Sequence, residues 1–96
     1  MNKITLTSAL SKIWALVYRS TQEALNTDQE NELSAAIGSL ESEWDQADIF
    51  VGRANHVAMC ARMHLAALTA RPPRKPSGWN VLMEDCQFLQ RYLSSH

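Results

Sequence analysis

The sequence predicts an all-α fold, a small bundle of three or four helices, and three observations predict it. Apolar residues recur at spacings of three and four along most of the chain, and no stretch alternates over the length of a strand. Glycine and proline number three each, too few for a fold built from hairpins. Alanine and leucine, both strong helix formers, fill the periodic stretches. A chain of 96 residues buries only about 60–70% of its unfolded surface, so the core must be simple and residues 1–96 read as a single helical domain. With 46% hydrophobic residues, 20% charged residues and a formal charge of −1, the composition is that of an ordinary globular chain, not a disordered or collagen-like one.

The first helix is expected over about 7–25. Thr7 or Ser8 serves as its cap, and Leu6, Leu10, Ile13, Trp14, Val17, Thr21 and Leu25 recur on one face. Thr27 with Glu30 three residues later has the form of a capping box and opens a second helical stretch. From there Leu33, Ile37, Leu40, Trp44, Ala47, Val51, Ala54, Ala58, Ala61, Leu65 and Leu68 hold an unbroken 4-3 alternation, the strongest pattern in the chain. Paired prolines then forbid helix and make 71–77 a linker. A last helix over about 78–93 carries Trp79, Leu82, Met83, Cys86, Leu89 and Leu93 on one face.

The 28–70 stretch decides the architecture. Unbroken, it would be about 64 Å long at 1.5 Å per residue, against about 30 Å for a compact globule of this length. One solution breaks the helix near 52–55, with Gly52 past a helix end and Asn55 as the next cap. The other keeps one long, kinked helix that needs a partner chain to cover it. The 4-3 phase runs through Val51, Ala54 and Ala58 without resetting, which favours continuity and hence dimeric packing. Residues 49–68 are also apolar nearly all round, more than one core-facing stripe requires. Phe50, Ala54, Val57, Ala58, Met59, Ala61, Met63 and Leu65 are therefore the expected partner or homodimer interface.

Charge is divided along the chain. From Glu23 to Asp48 there are eight acidic residues and no lysine or arginine, whereas from Arg53 onward six basic residues stand against Glu84 and Asp85, a net +4. Antiparallel pairing of this segment, as a hairpin or with a second copy, would set negative on positive and fix the register. Glu41, Glu43, Asp45 and Asp48 form an acidic face, by default solvated and otherwise suited to a basic partner. The acidic stretch and a pI near 6.3 argue against direct nucleic-acid binding.

Catalytic motifs are absent: no glycine-rich phosphate loop, no Glu-x-x-His metal motif and no acid pair emerges, so the chain reads as a non-enzyme without cofactor. His56, Cys60 and His64 follow one another at i, i+4 and i+8, but eight residues span about 12 Å of helix axis, too far for one tetrahedral ion, and no metal is expected. Cys60 could meet only His56 or His64 as a base. The Arg71 to Lys75 linker is basic and proline-rich, as a phosphate or aromatic-groove ligand would be, though such charges are more often solvated. Lys12 interrupts the apolar run before a signal-peptide core can accumulate, and Arg53, Asn55, His56, Arg62 and His64 break up the most apolar region. A cytoplasmic protein with reduced Cys60 and Cys86 and no membrane contact is expected.

The run Val57-Ala58-Met59-Cys60-Ala61-Arg62-Met63-His64-Leu65-Ala66-Ala67-Leu68, a methionine-bearing helix in a small chain without a catalytic motif, resembles small helical anti-activators of quorum-sensing transcription regulators. The resemblance implies an inhibitor that captures a transcription regulator and blocks its dimerisation or DNA contact. It is one of architecture and assigns no residue. Two other functions remain open from the residues: a phage-type inhibitor of a host nucleic-acid machine acting through the acidic face, and a metal- or thiol-based sensor using His56, Cys60 and Cys86.

Overall fold

The computed structural model describes residues 1–95, which form four helices: α1 (Lys3–Ser20), α2 (Thr27–Glu43), α3 (Val51–Thr69) and α4 (Trp79–Ser94). The first starts earlier than Thr7 or Ser8 would have it, because Asn2 accepts from the Thr5 amide at 3.1 Å and caps the helix. It also stops earlier, at Ser20. The Ser20 and Thr21 hydroxyls bond back to the Val17 and Tyr18 carbonyls, a local competition that suits a helix end. The capping box of α2 lies one residue ahead of Thr27: Asn26 accepts from the Gln29 amide at 2.8 Å, and the Gln29 side chain accepts from the Asn26 amide at 2.9 Å.

No long central helix forms. The chain leaves helix at Trp44, whose backbone is extended, and re-enters at Val51, so the break precedes Gly52, which lies in the first turn of α3. Polar side chains that bind nearby backbone explain the position. Asp45 accepts from the Ala47 amide at 2.9 Å, and Asp48 from the Phe50 amide at 2.9 Å, just ahead of α3. Glu41 and Glu43 stand where α2 ends, with no basic residue in its last turn, and negative charge at a helix C-terminus disfavours extension. The 4-3 pattern continues across the break because both helices turn their stripes to the same core.

Each helix packs on the next and α4 closes against α1, while α1 and α3 touch only slightly across the diagonal. Leu6, Leu10, Ile13 and Val17 of α1 meet Leu33, Ile37 and Leu40 of α2, Val57 of α3 and Leu89 of α4, all essentially inaccessible. Ala54, Ala58 and Ala61 are also buried; small side chains on α3 let its neighbours approach closely. Part of the apolar surplus that predicted a second copy is thus taken up within the chain where α3 folds back on α2, while Met59 and Met63 stay exposed. The acidic and basic halves meet in that hairpin, where Arg62 donates from Nε to Glu41 at 3.1 Å and from Nη2 at 2.5 Å. The α3–α4 pair runs antiparallel, with Phe50 against Tyr92 and Phe88 at one end and His56 near Asp85 further along.

Candidate functional site

The connection from α3 to α4 runs over residues 70–78 and is shaped by Pro72, Pro73 and Pro76. The Arg74 amide donates to the Ala67 carbonyl at 2.9 Å, which ties this strap to the last turns of α3. At its far end Gly78 has φ 74°, a left-handed backbone in which glycine avoids the penalty a side chain incurs. Gly78 is also the N-cap of α4 and offers no side-chain cap, and the first turn of α4 holds no acidic residue. The opening amides of α4 therefore lack an intrahelical acceptor and leave the positive end of the helix dipole uncompensated.

Under the strap lies a cavity of about 480 Å³, walled by Cys60, Met63 and His64 of α3, Trp79, Val81 and Leu82 of α4, and strap residues Arg74 to Gly78. A second cavity of about 270 Å³ lies between Ser20, Thr21, His64, Lys75, Pro76 and Trp79. His64 is common to both. It is 5% exposed, and its Nε2 lies 2.8 Å from Ser20 Oγ. The Ser20 hydroxyl already donates to the Val17 carbonyl at 2.6 Å, so Oγ must accept here and Nε2 must carry the proton. Nδ1 is then a buried nitrogen with no partner. Burial alone pushes the imidazole below its ordinary value, since a cation there loses hydration.

Met59 and Met63, one helical turn apart on α3, are 53% and 65% exposed, and Trp79 and Val81 at the start of α4 are 39% and 51% exposed. Met63, Trp79 and Val81 also wall the larger cavity, so an apolar rim and a concave site share one end of the molecule. Of the expected interface residues, Met59 and Met63 are exposed, and Phe50 and Leu65 are half-buried against the core. Ala54, Val57, Ala58 and Ala61 are interior and unavailable to a partner. The sequence signal for Val81 was its place off the Leu82, Met83, Cys86, Leu89 stripe. A buried His64 had no such signal, since it sits beside apolar residues on every side of the helix.

The acidic face is largely engaged in structure. Glu41 is paired to Arg62, whose guanidinium hydrogen bond holds the carboxyl below its usual value. Asp45 caps the turn at Ala47. Asp48 is half-buried and accepts from Trp44 Nε1 at 3.1 Å and from the Tyr92 hydroxyl at 2.5 Å, besides the Phe50 amide. Glu43 is exposed.

The thiols separate. Cys86 is in the core, where burial and then Asp85 push it up to about 12. Cys60 lies 3.5 Å and 3.9 Å from the two ring nitrogens of His56, and His56 Nδ1 lies 3.6 Å from Asp85. Residue types and proximity suggest a Cys-His-Asp relay. The distances do not make one, because the sulfur lies nearly as close to Nδ1, the nitrogen near Asp85, as to Nε2, and neither contact is a short, directed hydrogen bond. Burial, and then Asp85, raise the Cys60 thiol, the reverse of what a thiolate nucleophile needs. His64 turns instead to Ser20, so the three in-line donors diverge. Among the described residues no group of three histidine, cysteine or acidic side chains is placed to hold a metal ion, and no helix is long and apolar enough to cross a membrane. Comparison with protein families, with curated proteins and with solved structures gives no match.

Proposed function

We propose that this is a non-enzymatic binding protein that captures a larger protein, such as a transcription regulator, in the manner of a small helical anti-activator. The observation that carries the reading is the exposed apolar rim of Met59, Met63, Trp79 and Val81 on α3 and α4, four of the eight large apolar side chains exposed among the described residues, the others being Met1, Ile4, Tyr18 and Ile49. Methionine repacks against varied shapes and tryptophan anchors interfaces, so this composition suits partner binding. A cytoplasmic setting fits the free thiols of Cys60 and Cys86. The acidic face supports the reading less, because Glu41, Asp45 and Asp48 already have structural work.

The test is affinity capture from the native cell with three tagged proteins. The unaltered chain should retain a defined partner, and the Met59→Glu, Met63→Glu double variant should lose it while keeping its helical circular dichroism. A Glu41→Lys, Glu43→Lys variant should keep the partner. The opposite pattern would move the site to the acidic face. A homodimer through the same rim is read by light scattering, as about twice the 10.8 kDa chain mass that falls to one chain in the double variant.

A further inference from the structure

We propose that the α1–α2 face is a homodimer interface, on which a second copy of this chain sits about a two-fold axis running along the groove between the two helices. Charge is sorted by helix on this face. α1 carries Lys3, Lys12 and Arg19 and no acidic residue, whereas α2 carries Asp28, Glu30, Glu32, Glu41 and Glu43 and no basic residue. The groove between them encloses about 360 Å³, with Ile4, Ser8 and Lys12 on one wall and Glu32, Ala35 and Ser39 on the other. Ile4 is 84% exposed, the most exposed of the large apolar side chains among the described residues. The surface lies across the bundle from the α3–α4 rim, so a second copy here leaves that rim open to a protein partner.

Charge complementarity selects the occupant and its orientation. Helices joined by the short 21–26 connection run antiparallel, so Lys12 and Glu32, each the groove residue nearest that connection, stand at one level, and Ile4 and Ser39 at the other. Within the chain neither Lys12 nor Glu32 joins an ion pair among the described residues. A two-fold axis along the groove lays α1 of each copy on α2 of the other at matching levels. Lys12 then meets the partner's Glu32, twice by symmetry, and Ile4 lies over the small side chain of the partner's Ser39. An axis across the groove would instead lay α1 on α1 and α2 on α2, cation on cation and anion on anion, which is unfavourable. Two helices side by side, each about 26 Å long and 10 Å wide, offer roughly 500 Å² per copy. The total of about 1,000 Å² is at the lower bound for a specific interface, so the dimer should dissociate on dilution.

Sedimentation equilibrium of the purified chain tests the proposal. The mass should rise with concentration from the 10.8 kDa of one chain to about twice that. Lys12→Glu alone and Glu32→Lys alone should each weaken association about tenfold or more, because each sets like charges opposite one another at two symmetric contacts. Mixing the two variants should restore a one-to-one dimer, since every copy then meets the opposite charge, and the double variant Lys12→Glu, Glu32→Lys should associate as the native chain does. Ile4→Glu should remain a monomer with its helical circular dichroism unchanged, and Met63→Glu should leave the dimer intact. A native chain that stays monomeric at every concentration, a dimer that survives Ile4→Glu, a charge-swapped mixture that fails to associate, or a dimer lost in Met63→Glu would each overturn the proposal. Partner capture through the rim is a separate measurement and is not changed by any of these results.

Discussion

His64 ties the acid side of stability to one buried ring. Its folded value lies below the ordinary 6.5 because burial disfavours the cation. Below that ordinary value the unfolded chain takes up a proton that the folded chain refuses, so stability falls with acidification from about 6.5 downward. The alkaline side works the other way. Cys86, raised to about 12 from 9.0, stays protonated in the fold, so stability is full below about 9 and declines as the unfolded thiol ionises. Urea midpoints measured from pH 8 to pH 5 should fall in the native chain and flatten in His64→Gln; an unchanged slope would place the acid sensitivity elsewhere. Asp48 is the second decisive residue. It receives Trp44 Nε1, the Phe50 amide and the Tyr92 hydroxyl, and so joins the α2–α3 turn to the end of α4. Asp48→Ala should cost about 2 kcal/mol through stranded donors, and Tyr92, raised chiefly by its bond to Asp48, should titrate nearer its ordinary value by ultraviolet absorbance.

At the scale of the elements, the caps show what a sequence conveys and what it does not. A capping box at the start of α2 was legible, but Thr27 and Glu30 fitted the motif as well as Asn26 and Gln29, and only the backbone distinguishes them. Asn26→Ala should cost about 1 kcal/mol, whereas Thr27→Ala, which leaves the box intact, should cost far less. Equal losses in thermal unfolding would return the cap to Thr27. Periodicity located three helical stretches because each buries a stripe, and the one over about 28–70 is two helices, α2 and α3. It favoured one continuous helix there because a hydrophobic phase records which face meets the core, not whether the backbone between two stripes is helical. The signals for the break were Asp45 and Asp48, whose carboxylates bind turn amides, together with acidic residues at the end of α2. The candidate site was less legible. Its apolar part, Met59 and Met63, was visible as helix surplus. The larger cavity arises only when the Arg74 to Gly78 strap, the later turns of α3 and the start of α4 converge, and nothing in a linear pattern records that convergence.

For the whole molecule, the question is which part of 49–68 is core and which is surface, since the sequence made the entire segment a candidate interface. The fold divides it. Ala58 is 1% exposed and Met63 is 65% exposed on the same helix, so one substitution at two positions separates folding from recognition. Ala58→Glu places a charge among apolar side chains without a partner and should cost several kcal/mol, about the whole margin of a small domain. It should lose helical circular dichroism or unfold well below the native temperature, whatever the oligomeric state. Met63→Glu adds a charge at a solvent-facing position and should change stability by about 0.5 kcal/mol or less, while removing the apolar rim from any protein seated there. The expected pair of outcomes is therefore an unfolded Ala58→Glu protein and a folded Met63→Glu protein that no longer retains its partner. A Met63→Glu chain that unfolds would mean that Met63 is covered in solution. One that folds and still captures the partner would remove the α3–α4 rim as the recognition surface and leave the exposed Glu43 side of α2 as the next place to look.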